Sequence, residues 1–234
     1  MSDVFISYSR RDADFMRRLH SALSAQNRDI WVDWEDIPAT ADWWNEIRAG
    51  IDAADTFVFI ISPDSVMSDV CHREIEHAVS ARKRFIPILH RKLTGEEVTA
   101  TGKKMHPAIS SHNWIYFQDA DDFDKAFKSL QEAIETDLAH VREHTRLLLR
   151  AREWDRQGRG GGSLLDSTEV QRAEAWLAQA AGKKPEPTDL HSAYIVASRA
   201  QHQPSVSTRP PPTGAGPCST PLASRRVPPA TALP

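Results

Sequence analysis

Short runs of consecutive apolar residues alternate, along the first half of the chain, with segments whose apolar residues recur every three or four positions. Val4-Phe5-Ile6 opens the series, and Phe15, Leu19 and Leu23 follow four apart, as on one face of a helix. Ile30-Trp31-Val32 is the second run and leads to Asp33 and Trp34; Ile47 and Ile51 then mark a second helix. The third run, Phe57-Val58-Phe59-Ile60-Ile61, is apolar at every position, the pattern of a central strand covered on both faces. Ser62-Pro63 stops it, and Cys71, Ile75 and Val79 follow at helical spacing. Phe85-Ile86-Pro87-Ile88-Leu89 is the fourth run, where Pro87 predicts a sheet edge or a position whose N–H is not needed. Trp114-Ile115-Tyr116-Phe117 is the fifth. A helix is predicted to begin near Asp121 and to carry Phe123, Phe127, Leu130, Ile134, Leu138 and Val141 on one stripe, running on through Leu147-Leu148-Leu149 to Trp154.

Five strands alternating with helices imply right-handed βαβ units and a parallel sheet, an α/β fold. Ligands of such sheets sit beyond the carboxyl ends of the strands, at the topological switch point. Those ends are polar here: Ser7 to Arg10, Asp33 to Glu35, and Ser62 to Asp64.

The remainder differs in kind. Gly158-Arg-Gly-Gly-Gly162 breaks the long helix; Asp166 or Ser167 can cap a short helix with Val170, Ala173, Leu177 and Ala180, ended by Gly182. Past Pro185 and Pro187, Thr188 or Asp189 can open another through Tyr194 and Val196. From Gln201 onward there are nine prolines in 34 residues with no aromatic and no acidic residue, a composition that cannot offset its ordering entropy. The expected organisation is a domain over residues 1–145, a helical appendage over 146–200 and a disordered tail over 201–234.

Composition narrows the function. A net charge of -3 provides no global field to draw nucleic acid or an anionic membrane, and 40% hydrophobic residues suit a globular core. The two cysteines, Cys71 and Cys218, lie far apart, so no disulfide framework is expected and a reducing cytoplasm fits. The first strand begins almost at once, leaving no room for a signal peptide, and no apolar run has the length of a membrane span.

Two stretches carry the candidate chemistry. In Ser68-Asp-Val-Cys71-His-Arg-Glu74 the residues Ser68, Cys71 and Glu74 stand three apart on one face of a helix start. In Asp3-Val-Phe-Ile-Ser-Tyr-Ser-Arg-Arg-Asp12 a strand runs into Ser7, Tyr8, Ser9 and Arg10, whose hydroxyls and guanidinium, beside backbone N–H groups, can hold a pyrophosphate. Together and in this order they resemble a Toll/interleukin-1 receptor (TIR) domain over residues 1–145, and are most similar to bacterial TIR domains that cleave NAD+. Residues 140–200 are also similar to the linker that follows the TIR domain in large bacterial proteins.

The resemblance implies a flavodoxin-like five-stranded parallel sheet and an NAD+ nucleosidase, a defence or signalling effector activated by self-association with other TIR domains. NAD+ is then the substrate, with no cofactor and no metal, and the product is ADP-ribose or a cyclic isomer. The catalytic glutamate of the family stands three residues after a cysteine in this helix, which singles out Glu74. Ligand contacts are implied for Ser7, Tyr8, Arg10, Ser68 and Cys71. Residues 34–44 hold the position of the BB loop, which covers the nucleotide and contacts a neighbouring TIR domain; Trp43 matches its aromatic position, with Trp44 the alternative. Taken alone, Glu74 reads as a solvated helix side chain. One carboxylate nonetheless suffices for this reaction, because nicotinamide leaves as a neutral molecule and only the oxocarbenium-like ribose needs stabilising. The alternative is a non-enzymatic module that signals by TIR–TIR assembly.

Other patterns fall away. His72 and His77 are five apart, off one helical face and unlike H-E-x-x-H, so zinc is not implied. The glycine run at 158–162 has no Lys-Ser/Thr after it and leaves no strand. Cys71 has no evident histidine base and reads as a small buried helix residue.

Overall fold

The computed structural model describes residues 2–32, 43–93 and 105–202. Residues 33–42, with most of the predicted loop, and 203–234, with almost all of the predicted tail and Cys218, lie outside the described residues.

Five parallel strands form one sheet: β1 (Val4–Ser7), β2 (Ile30–Val32), β3 (Thr56–Ile61), β4 (Arg84–Leu89) and β5 (Ile115–Tyr116). Their order is β2-β1-β3-β4-β5, the flavodoxin-like doubly wound order that the resemblance implies, whose switch point lies between β1 and β3. Val4 pairs with Ile30 on one side and Thr56 on the other, and Thr56 with Arg84. β1 and β3 are buried at every residue because helices cover both faces, which is why their sequences do not alternate with polar residues.

The alternation is instead between two cores. Val4, Ile6, Val58 and Ile60 face Met16, Leu19 and Leu23 of α1 (Ala13–Ser24), with Ala126, Leu130 and Ile134 of a later helix. Phe5, Phe57, Phe59 and Ile61 face Ile47 and Ile51 of α2 (Trp43–Ala53). After β3 come the short α3 (Pro63–Met67) and α4 (Asp69–Ser80), which adds Cys71, Ile75 and Ala78 to this second core. α2 lies close on the sheet: a Cβ at Gly50 would stand 2.5 Å from Trp31 Cε2. Trp31 stacks on Phe5 with ring centroids 4.7 Å apart.

A short α5 (Pro107–Ser110) precedes β5. β5 pairs only with Ile88 and Leu89, so β4 is an interior strand and Pro87 falls just before the ladder on that side, where its missing N–H has no partner to serve.

The single long helix expected from Asp121 to Trp154 is two helices, α6 (Phe123–Glu135) and α7 (Leu138–Arg156). Asp137 adopts a left-handed backbone with φ 49° between them. The apolar stripe crosses the break unaltered, which hides it from a periodicity reading. Thr and Asp favour local side-chain bonding over helix, and Asp tolerates the left-handed region. The Arg84 guanidinium, donating to the Thr136 carbonyl and, at 3.3 and 3.4 Å, to those of Ala133 and Ile134, satisfies the freed end of α6.

The appendage continues with α8 (Ser167–Ala178) and α9 (Asp189–His202). Asp166 and Glu169 form a reciprocal capping box at the start of α8. Helix α9 runs through His202, two residues into the predicted tail. Leu147, Ala151 and Trp154 of α7 pack with Val170, Ala173 and Trp176 of α8 and Tyr194 and Ile195 of α9. Residues Met1–Gln203 form one compact unit. Its joints are polar as well as apolar. Lys83, buried, donates to the carbonyls of Asp52 and Ala54 at 2.7 Å, and burial holds its ammonium down to about 8. Asp52 on α2 accepts from His77 of α4 at 2.7 Å and pairs with Arg152 of α7; burial alone would raise its carboxyl, but these two partners outweigh it and leave it lowered. Among the described residues no helix is long and apolar enough to cross a membrane.

Candidate active site

The carboxyl end of β1 and the start of α4 meet at the switch point. Ser7, the last residue of β1, is buried, as is Glu74 in the second turn of α4, and the Ser7 hydroxyl donates to Glu74 Oε2 at 2.5 Å. Ser68 caps α4, its Oγ accepting from the Cys71 N–H at 3.3 Å, which fixes where the helix begins. Three and six residues on, Cys71 and Glu74 point to the same side, as their spacing requires. A buried carboxylate is costly unless it is hydrogen-bonded, and such residues gather at functional sites.

Glu74 opens on a cavity of about 340 Å³ lined by Tyr8, Ser9, Arg10, Arg11, Trp43 and Ser68, with Ile6 and Val70 as its apolar part. Of the seven residues predicted from the sequence, Tyr8, Arg10, Trp43, Ser68 and Glu74 line it; Ser7 and Cys71 stand behind the wall. Cys71 is 2% exposed, its Sγ donates to the Tyr8 carbonyl at 3.4 Å, and burial, with the nearby Glu74 second, pushes its thiol up to about 12. It is therefore not a thiolate near neutral pH, and its contribution is to hold Tyr8.

The two tryptophans part company. Trp43 begins α2 and lines the cavity, while Trp44 has the Arg73 guanidinium over its ring at 4.1 Å. Trp43 is thus a helix start rather than a loop residue.

Arg11 and Val70 were not singled out by sequence reasoning. Neither was the ion network behind the Arg10–Asp12 turn, in which Asp12 accepts from Arg91 and Ser62. Asp12 precedes α1, where an acidic residue reads as a helix cap, yet it makes no capping bond. Arg91 stands two residues past the end of β4, a strand end that the same switch-point rule would have flagged. Among the described residues no cluster of three or more His, Cys, Asp or Glu side chains is arranged to hold a metal.

A family model described as TIR domain matches residues 4–131. Among solved structures, the chain is similar to the TIR domain of the Toll-related receptor TRR-2 of Hydra magnipapillata, at 22% identity and TM-score 0.44, covering 57% of this chain and 98% of that one. It is similar to the TIR domains of the Roq1 resistosome that recognises the pathogen effector XopQ, at 14% identity and TM-score 0.47, over 57% and 99% of the two chains. A prokaryotic SEFIR domain aligns at 19% identity and TM-score 0.42, over 58% and 93%. No curated protein matches.

Proposed function

This chain belongs to the TIR-domain family, and from that premise we propose that it is an NAD+ nucleosidase that cleaves the nicotinamide–ribose N-glycosidic bond. The observation that carries the proposal is the buried Glu74 carboxylate, tied to Ser7 and open to a cavity walled by Tyr8, Arg10 and Trp43. A module that acts only by assembly has no use for a buried carboxylate facing a cavity. At about 340 Å³ the cavity is at the small end of ligand sites, roughly 300–1,000 Å³. It suits the nicotinamide-riboside end of NAD+, with the pyrophosphate toward Arg10 and the rest of the nucleotide outside.

In this reading the C1′–N bond breaks heterolytically and its electron pair leaves with neutral nicotinamide. Glu74 faces the ribosyl cation and stabilises its growing positive charge by field and by hydrogen bonds to ribose hydroxyls. Ser7 holds the carboxylate in place. Trp43 stacks on a ring of the ligand. Water adding at C1′ and losing a proton to solvent gives ADP-ribose; attack at C1′ by a nucleophilic atom of the same nucleotide, which likewise gives up a proton, closes a cyclic ADP-ribose that is one water lighter. No cofactor or metal takes part. Self-association with other TIR domains completes the site, in a cytoplasmic signalling or defence role.

The test is nicotinamide release from NAD+, followed by mass spectrometry across a protein dilution series. Specific activity is expected to rise with concentration. Glu74→Gln keeps the shape and removes the charge, and its rate is expected to fall by about a hundredfold or more, roughly 3 kcal/mol. Wild-type turnover in this variant would remove Glu74 from the chemistry. Absence of release by the wild type at any concentration would leave assembly as the function.

A further inference from the structure

The cavity that Glu74 lines is also lined by the turn from Tyr8 to Arg11, four residues with polar side chains that follow the end of β1. Such a turn needs something to fix it. Within itself it has the Asp12 N–H donating to the Ser9 carbonyl at 2.7 Å and the Arg11 N–H approaching Ser9 Oγ at 3.4 Å. The stronger ties come from outside. The Asp12 carboxylate has no solvent exposure and does not line the cavity. It accepts from the Ser62 hydroxyl at 2.5 Å and from Arg91 Nε at 2.7 Å, and His90 Nε2 stands 4.0 Å away. The other arm of Arg91 reaches Asp64, which also accepts from Arg11 at 2.9 Å.

The sequence positions of these groups give the network its meaning. Asp12 closes the turn after β1, Ser62 and Asp64 follow β3, and Arg91 follows β4. One guanidinium therefore braces three strand ends, with its Nε on the inner carboxylate and its terminal nitrogen on the outer one. Arg11, itself part of the cavity wall, is fastened to the outer carboxylate. A planar guanidinium, with its donors in fixed directions, suits two carboxylates held at set positions better than the freely rotating donors of an ammonium. The chemistry assigned to Glu74 makes no use of Asp12, and α1 makes no use of it as a cap.

We propose that Asp12 and Arg91 are positioning residues: they hold the Tyr8–Arg11 wall at the distance from Glu74 that the ligand requires. The inference rests on the NAD+ reading for the identity of the ligand, but the brace itself is independent of it. Glu74 accepts from Ser7, a residue of β1 rather than of the braced turn, so loosening the turn is expected to act more on binding than on the carboxylate.

Two measurements on the full chain test this. The first is hydrogen exchange of the backbone amides of residues 9–12 in wild type and Arg91→Met, with α8 as internal reference. Exchange in the turn is expected to accelerate about tenfold or more while α8 is unchanged, because the turn's opening loses its principal restraint. The second is steady-state kinetics. Arg91→Met is expected to raise KM for NAD+ about tenfold and to change kcat by less than about threefold. Asp64→Asn removes the charge of the outer attachment while keeping one acceptor oxygen, and a rise in KM of about threefold is expected. A merely structural role would lower the folded fraction, and with it kcat, at constant KM. Unchanged exchange in the turn, or unchanged KM in folded Arg91→Met and Asp64→Asn, would overturn the proposal. If the wild type releases no nicotinamide, the cleavage reading falls, while faster exchange in Arg91→Met still supports the brace.

Discussion

Replacing Gly50 by alanine sets two effects against each other. Gly50 lies inside α2, where glycine costs a helix about 1 kcal/mol relative to alanine. On propensity alone, Gly50→Ala stabilises. The new Cβ, however, would stand 2.5, 2.6 and 2.9 Å from Cε2, Cδ2 and Nε1 of Trp31. Carbon atoms rest at about 3.5–4.0 Å, so the ring or the helix must retreat by roughly 1 Å. Trp31 has little freedom to yield, because it stacks on Phe5 at 4.7 Å and Phe5 on Phe57 at 5.3 Å. Overpacking of this kind costs about 1–3 kcal/mol, and disturbed stacking adds about 0.5–1.5 kcal/mol. Less the propensity gain of about 1 kcal/mol, the expected net loss is about 0.5–3.5 kcal/mol, and a loss of about 2 kcal/mol would lower the melting temperature by roughly 4–8 °C. Urea unfolding followed by tryptophan fluorescence should show a lower midpoint with the slope unchanged. Since α2 begins at Trp43, nicotinamide release should fall as well. A midpoint equal to or above that of the wild type would refute the close seating of α2 on Trp31.

Trp43→Ala is expected to lower kcat/KM for NAD+ several-fold more than Trp44→Ala, given a stacking contribution of about 1 kcal/mol; the reverse order in two folded variants would place the ligand ring on Trp44. Burial, and for His144 the neighbouring His191, holds His144 down to about 2 and His191 down to about 4, while the unfolded chain takes up both protons near pH 6.5. Stability should therefore fall as pH drops below about 6.5, by up to roughly 1.4 kcal/mol per pH unit for each histidine, and His144→Leu should make the fall in melting temperature between pH 7 and pH 5 shallower. An equally steep fall in that variant would exclude His144 as a source. Removing residues 204–234 should leave melting temperature and activity unchanged, as the composition of that segment implies. Cutting at residue 160 removes Trp176 and Tyr194 from their packing on Leu147 and Trp154 and should lower the melting temperature or cause aggregation; equal melting temperatures for the two truncations would show that α8 and α9 contribute nothing.

The strands were legible because burial on both faces writes itself as unbroken apolar runs, as at Phe57–Ile61. Pro87 was legible only as a missing donor; that β5 pairs with two residues beyond it is tertiary information. The break at Thr136-Asp137 was hidden, since the stripe from Ile134 to Leu138 keeps helical spacing and the stabilising group, Arg84, is remote in sequence. In the site, local helical geometry placed Ser68, Cys71 and Glu74 on one face, but only the family resemblance singled out Glu74. The Ser7–Glu74 bond spans 67 positions and the Asp12–Arg91 pair 79, and no local pattern marks either one.

The contact between α7 and α2 decides which part of α2 is left open to anything outside the chain. Thr145, Arg142 and Arg152 of α7 engage the end of α2 and the residues just beyond it, at Ala54, Asp55 and Asp52. That patch is therefore already occupied from within the same chain. A second copy cannot lie on it without first prising α7 away. Anything that covered this patch from outside would first have to break the ion pairs of Arg142 and Arg152 with Asp55 and Asp52.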